Sequence, residues 1–379
     1  MQIIHWLEDG HPLEARWLSH NATSPPTRVV IADGKMPADE AYGLACQGTA
    51  LLWRGDFQEA RQMLNAMGKR ADRRQRGSRT SLPSTRTGQA FHLYRQARSQ
   101  RARTLNALLV PLNDDYSIPL RRAPDIRQAC SEAFGPAEGG AVTSLRALLG
   151  VIGAHEWRTK GIEIPEAGGR IHPHFGVFAP IRREYVDLVA KAQLPAACAA
   201  SSLAFDIGTG TGVLAAVLAR RGIERVVATD LDPRARACAC ENVRNLGLAD
   251  RIDVVEADLF PAGRAALVVC NPPWIPARAS SSMENGIYDP ESRMLCGFLA
   301  GLSGHLQPGG EGWLILSDLA EHLGLRTRAW LLAEFEAAGL SVMGRDDVPP
   351  RHPRAADKSD PLHIARAAEI TSLWRLAAR

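Results

Sequence analysis

The sequence predicts an α/β protein whose C-terminal half is built on a largely parallel sheet of seven strands, preceded by a helix-rich N-terminal domain. Three observations carry this. Beyond residue 180, apolar runs alternate with helical stretches in the manner of repeated βαβ units. Helix caps and glycines fall where that alternation needs them. A glycine-rich turn then joins the first strand of the series to its helix. The domains expected from this change in pattern are 1–165 and 166–379.

In the N-terminal part, residues 37–53 predict a helix, weakened by Gly43 and Gly48. Asp56-Phe57-Gln58-Glu59 has the form of a capping box that opens a helix to about Lys69. Residues 77–88 are polar and basic and predict a surface loop. A helix near 89–106, an apolar turn over 108–112 and a helix over 124–134 follow. No repeat and no constellation of reactive side chains marks this half. Its distinguishing feature is charge: residues 61–103 carry 12 Lys or Arg and one acid, giving +11, whereas the rest of the chain sums to −7. Such an asymmetry marks a surface for nucleic acid or another acidic partner, or else a solvated helix face.

In the C-terminal part, the expected strands are 203–207, 225–229, 252–257, 266–270, 312–317, 340–344 and 370–376, with helices near 181–193, 213–221, 233–246, 291–306 and 326–338. Asp232-Pro233 supplies an N-cap and an N1 proline, and Gly247 and Gly339 stand just past two helix ends.

Composition excludes several classes. The chain has 379 residues, 45% hydrophobic and 23% charged, which is ordinary for a globular protein and unlike collagen or a disordered tail. The first residues lack the basic and apolar regions of a signal peptide, and no uncharged apolar run reaches membrane-span length, so no membrane association is expected. Seven scattered cysteines without framework spacing suit a reducing cytoplasm. Cys238-Ala-Cys240 and His172-Pro-His174 lack a second ligand pair at zinc-site spacing, so no metal is expected.

The chemistry gathers at the predicted strand ends. Phe205-Asp206-Ile207-Gly208-Thr209-Gly210-Thr211-Gly212 joins a strand to a helix, and glycines there let backbone amides approach a ligand. Asp230 closes the next strand 22 residues after Gly208, with Leu231 behind it, where a carboxylate can accept hydrogen bonds from both ribose hydroxyls. Asp258, followed by Leu259, closes the third strand. Several carboxylates around one nucleoside would repel a pyrophosphate but tolerate a cationic sulfonium. At the end of the fourth strand stands Asn271-Pro272-Pro273-Trp274. The prolines stiffen the turn. The Asn271 side-chain oxygen and the Pro272 carbonyl can accept both hydrogens of a planar NH₂ group and aim its lone pair, and Trp274 can stack on that group.

The glycine loop and its acids resemble class I S-adenosylmethionine-dependent methyltransferases. The tetrapeptide resembles the Asn-Pro-Pro-(Tyr/Phe/Trp) motif of the amino-methylating group, here with Trp in place of the commoner Tyr or Phe. The resemblance covers roughly 171–345. It implies a Rossmann-like seven-stranded methyltransferase fold and S-adenosyl-L-methionine as cofactor. By it, Asp206, Gly208, Thr209, Gly210, Gly212, Asp230, Leu231, Asp258, Leu259 and Asn271 bind the cofactor, and Asn271 to Trp274 form the catalytic acceptor site. Two subfamilies compete. Release-factor glutamine methyltransferases of the HemK type are similar also in the stretch from Tyr288-Asp289-Pro290 to Gly309-Gly310. Two-domain ribosomal-RNA guanine-N2 methyltransferases are similar in having a large N-terminal domain and a segment like Gly176-Val177-Phe178. The preferred expectation is N-methylation of a base in ribosomal or other structured RNA, docked through residues 61–103. The alternatives are a protein glutamine amide, a small molecule, and a catalytically idle RNA- or ribosome-binding module. Phe175 and Phe178 are candidates for the mouth of the site, and the long loop 275–290 for substrate selection.

Overall fold

The computed structural model describes residues 2–79, 87–279, 284, 286–351 and 353–379. The chain divides into two compact units, Met1–Thr85 with His92–Glu156, and Arg86–Phe91 with Trp157–Arg379.

The first unit holds the expected helices together with a six-stranded sheet that the sequence reading missed. Its strands are β1 (Ile3–Glu8), β2 (His11–Leu18), β3 (Val29–Ala32), β4 (Ala50–Trp53), β5 (Leu108–Leu112) and β6 (Ala141–Ser144), in the order β1-β2-β6-β5-β4-β3. Two local expectations are corrected. Residues 37–53 are not one helix but a helix, Ala38–Cys46, and then β4, with Gly48 in the left-handed region (φ 83°) where the chain turns. Residues 108–112 are not a turn but β5, wholly buried and paired with β4 and β6. Both runs are short, continuous and apolar, a pattern that periodicity cannot assign to helix or strand. The helix opened at Asp56 extends to Arg79, well past the expected end, and the next helix begins at Thr87, so that residues 77–79 and 87–88 are helical rather than loop, while residues 80–86 lie outside the described residues. Asp56 does cap it: Oδ1 accepts from the Gln58 N–H at 2.8 Å and Oδ2 from Arg122 Nε at 2.6 Å.

In the second unit, a short antiparallel pair, β7 (Ile162–Ile164) and β8 (Gly169–Ile171), leads into a seven-stranded sheet. Its strands are β9 (Leu203–Ile207), β10 (Arg225–Asp230), β11 (Ile252–Glu256), β12 (Ala265–Cys270), β13 (Leu306–Ser317), β14 (Leu340–Val348) and β15 (Thr371–Ala378), and their order is β11-β10-β9-β12-β13-β15-β14. All seven overlap expected strands, with β13 beginning at Leu306 rather than Gly312 and β14 running on to Val348 rather than ending at Gly344. The first five run parallel, and β15 lies antiparallel to both β13 and β14. Central strands covered on both faces need continuous apolar sequence, and β12, Ala-Ala-Leu-Val-Val-Cys, is buried at every position. The helix Val213–Arg220 follows the same logic, with Val213 to Ala219 all buried.

Helix ends match their signals. Asp232 accepts from the Arg234 N–H at 2.8 Å to start the helix Pro233–Asn245, and Thr327 accepts from the Trp330 N–H at 3.1 Å to start Arg328–Ala337. Gly247 and Gly339 take left-handed φ values of 66° and 67° beyond the two helices.

Candidate active site

The register of the sheet sets the site. Ile207 of β9 pairs with Thr229 of β10 and with Cys270 of β12. The next residues along the three strands are Gly208, Asp230 and Asn271, which therefore emerge level at the carboxyl edge. The strand order reverses between β9 and β12, and that is where an open parallel sheet leaves a crevice. A cleft of about 720 Å³ occupies this position.

The glycine loop needs left-handed backbone at three places: Gly208 (φ 69°), Gly210 (φ 55°) and Gly212 (φ 80°). A Cβ on Gly208 would stand 2.4 Å from Met294 Cε, whereas one on Gly210 would meet nothing within 4 Å. Gly212 serves packing: a Cβ there would press on Ala239 at 3.3 Å, in the helix Pro233–Asn245. The loop is pinned from two sides. Asp206 Oδ2 accepts from the Thr209 hydroxyl at 2.6 Å and the Ala215 N–H at 3.0 Å. Asp230 Oδ2 accepts from the Gly210 N–H at 3.0 Å, and its Oδ1 from the Asp232 N–H at 2.9 Å. Thr229 Oγ1 donates to the Leu259 carbonyl at 2.6 Å, tying the third strand end, where Leu259 has φ 75°, to the second.

Burial pushes the Asp206 carboxyl up to about 6, against the two hydrogen bonds that lower it. Burial likewise raises Asp230, against its N–H bonds from Asp232 and Gly210. Folding therefore takes up a proton at Asp206 between pH of about 4 and 6, and stability falls as pH rises through that window, by on the order of 3 kcal/mol for this group. Asp206→Asn is expected to remove that slope. Thermal unfolding midpoints of the two proteins from pH 4 to 7 check this, and parallel curves would refute the assignment.

Of the site residues expected from sequence, Asp206, Gly208, Thr209, Gly210, Asp230, Leu231, Asp258, Leu259, Asn271 and Pro273 line the cleft. Gly212, Pro272 and Trp274 do not: Gly212 starts a helix, Pro272 is buried beneath the turn, and Trp274 packs against the hydrophobic core. Trp274 Nε1 instead donates to Asn271 Oδ1 at 2.9 Å. Asp258 lies 3.6 Å from Arg293. Phe178 lines the mouth with Gly176 and Val177, while Phe175 is buried away from it.

Sequence reasoning passed over Tyr185, Met294 and Arg293, which complete the walls. Only their positions in three dimensions reveal them, since no local motif marks them. The loop 275–290 contributes Gly286, Tyr288, Asp289 and Pro290 to the cleft. Its residues 280–283 and 285 lie outside the described residues. Its ends are clamped by the bridge between Ile275 and Tyr288 and by the Asp289 N–H bond to the Ile275 carbonyl at 2.9 Å. Buried Asp289 accepts from the Met294 N–H at 3.0 Å and caps the helix Arg293–His305. The His172-Pro-His174 segment forms hydrogen bonds to the helix Pro233–Asn245: the His172 N–H donates to Asn242 Oδ1 at 2.7 Å, and His174 Nε2 lies 2.8 Å from Glu241. Among the described residues, no three His, Cys, Asp or Glu side chains are grouped to hold a metal ion.

The residues fit S-adenosylmethionine. The left-handed glycine turn opens a cradle at Gly210, a carboxylate stands level with it at the next strand end, and the surrounding charge is acidic. When bound, this cofactor supplies a methyl group carried on a cationic sulfonium.

Comparison with known proteins agrees. Residues 169–336 match the family model described as Methyltransferase small domain. The chain is 38% identical over 145 residues to a ribosomal protein L11 methyltransferase of Pelotomaculum thermopropionicum, covering 38% of this chain and 39% of the relative. It is 38% identical over 145 residues to a release factor glutamine methyltransferase of Cereibacter sphaeroides, covering 37% and 49%. It is 39% identical over 88 residues to a tRNA1(Val) (adenine(37)-N6)-methyltransferase of Actinobacillus pleuropneumoniae, covering 22% and 37%. The chain thus spans less than half the length of these curated relatives. Residues 169–336 form a methyltransferase small domain of the class I type, with S-adenosylmethionine as its cofactor.

Proposed function

We propose that this protein is an enzyme of the cytoplasm that transfers a methyl group to a planar amino or amide nitrogen, with a base of ribosomal or other structured RNA as its acceptor. One observation carries the reading: Asn271, at the end of β12, shares a cleft with the glycine loop and Asp230. Asn271 Oδ1 accepts a hydrogen of the target NH₂, which aims its lone pair across the cleft and stabilises the positive charge that develops on nitrogen as the methyl bond forms. No strong base is required before transfer, because that nitrogen becomes acidic only as the bond is made. Asp230 receives the ribose, Asp258 the adenine side, and Asp206 holds the loop in place. The seven free cysteines suit a reducing compartment. No helix among the described residues is long and apolar enough to cross a membrane.

The RNA preference rests on the basic helices Phe57–Arg79 and Thr87–Asn106. Arg101 and Asp72 join them at 2.6 Å, and Arg70 is held by Asp39 at 2.6 Å, whereas Lys69, Arg73, Arg98 and Arg103 are exposed. The side chain of Arg76 lies outside the described residues. A protein glutamine amide is the second reading, favoured by the similarity to the release-factor enzyme. The test incubates purified protein and tritiated cofactor with lysate from a deletion strain, then digests separately with ribonuclease and with protease. Label lost to ribonuclease is expected. Neutralising Lys69, Arg73, Arg98 and Arg103 together is expected to weaken labelling and to flatten its salt dependence. Label that survives ribonuclease but not protease would replace the RNA reading with the protein one.

A further inference from the structure

We infer that Trp274 is a positioning residue for Asn271, acting through its indole N–H rather than as a stacking platform, and that Arg182 and Glu369 hold it in that role. The inference rests on the reading of Asn271 as the group that accepts from the target nitrogen.

The indole nitrogen can only donate a hydrogen bond. Its partner on Asn271 at 2.9 Å is therefore the amide oxygen, and the bond fixes which way the amide faces. An unrestrained asparagine amide presents its oxygen or its NH₂ with similar ease, and an NH₂ facing an amine donor would repel the acceptor. With the N–H of Trp274 on one lone pair, the oxygen keeps its second lone pair for the substrate. Phenylalanine has no donor to place there, so Trp adds a function at the fourth position of the tetrapeptide that a simple aromatic ring lacks.

The ring has a support of its own. The Arg182 guanidinium lies over it, 5.3 Å from the ring centroid. Arg182 Nη2 donates to Glu369 Oε2 at 3.0 Å. Glu369 is fully buried, and its Oε1 accepts from the Ser317 hydroxyl at 2.7 Å. Ser317 is the last residue of β13, and Glu369 stands two residues before β15. The support thus starts in the sheet, passes through a buried carboxylate and a guanidinium, and reaches the Trp274 face. A ring covered in this way, packed against the core and set behind the cleft wall, is placed to orient Asn271. Arg182 joins the N-terminal approach of the domain to this support, a role that no local motif announces.

The test separates the N–H from the ring. Trp274→Phe keeps an aromatic face and removes the donor. It is expected to lower the initial rate of label incorporation into the deletion-strain lysate by about tenfold, while S-adenosylhomocysteine binds as to wild type in calorimetry. Arg182→Lys keeps the charge facing Glu369 but not the planar cover, and is expected to lower the rate by a smaller factor. Independently of activity, the Trp274 indole resonance in ¹⁵N spectra is identified by its absence from Trp274→Phe. It is expected to move and to exchange faster with solvent in Asn271→Ala. A wild-type rate in Trp274→Phe, or an indole resonance indifferent to Asn271→Ala, would overturn the inference. If wild type itself labels neither RNA nor protein, the methyl-transfer reading fails, and the spectra alone decide whether the indole holds Asn271.

Discussion

Asn271→Ala is expected to lower methyl transfer by roughly 10²–10³-fold or more, the loss seen when one preorganised hydrogen-bonding group is removed from a transition state. The side chain stands at the carboxyl edge of β12, on the cleft wall. Its removal takes away the oxygen proposed to hold the target nitrogen and leaves the Trp274 N–H without its partner. The fold should survive, because Asn271 is a partly exposed residue on a turn stiffened by Pro272 and Pro273. S-adenosylhomocysteine affinity, measured by calorimetry, should remain within a few-fold of wild type. Full turnover in Asn271→Ala would remove the residue from the mechanism. A parallel collapse of cofactor affinity would reassign it to the cofactor pocket alone.

Asp230→Ala is expected to weaken cofactor binding by about 10–100-fold, since charged hydrogen bonds are each worth about 1.5–3 kcal/mol. Two effects act together. The carboxylate that would take the ribose hydroxyls disappears, and so do its bonds to the N–H groups of Gly210 and Asp232, which hold the glycine turn and the start of the helix Pro233–Asn245. Asp230→Asn separates them, because the amide oxygen can still accept from one N–H while the charge is gone. Calorimetry with S-adenosylhomocysteine across the three proteins checks the ranking wild type, Asn, Ala. Unchanged affinity in Asp230→Ala would remove the ribose assignment.

The second unit was legible in the sequence because its physics is local and repetitive. Buried parallel strands must be apolar at every position, as in β12, and each is punctuated by an N-cap, a proline or a glycine that the next helix requires. The placement of the candidate site residues was legible for a related reason: in such a sheet the crevice lies at the strand ends, and Gly208, Asp230 and Asn271 could be placed there from strand boundaries alone. The first unit was less legible. Its strands β4 and β5 are four and five residues long and apolar throughout, and the hairpin of β1 and β2 joins the sheet through β6, more than 120 residues further along the chain. Within the site, residue type suggested that Trp274 offers its face to the acceptor, but the ring's surroundings depend on Arg182 and Glu369, 92 and 95 residues away along the chain. Tyr185, Arg293 and Met294 were invisible for the same reason.

The level row formed by Ile207, Thr229 and Cys270 has a consequence for how such a protein can change. Backbone pairing fixes the heights of Gly208, Asp230 and Asn271 relative to one another, whatever chain lies between the strands. Insertions in the segment between Asn271 and the helix Arg293–His305 can therefore lengthen, shorten or reshape the mouth without moving the reacting atoms. A one-residue slip inside β9, by contrast, would turn every side chain of that strand to the opposite face and dismantle the site at once. On the proposed function, changes within residues 275–290 are therefore expected to alter acceptor preference, whereas changes of register within the strands are expected to abolish transfer altogether.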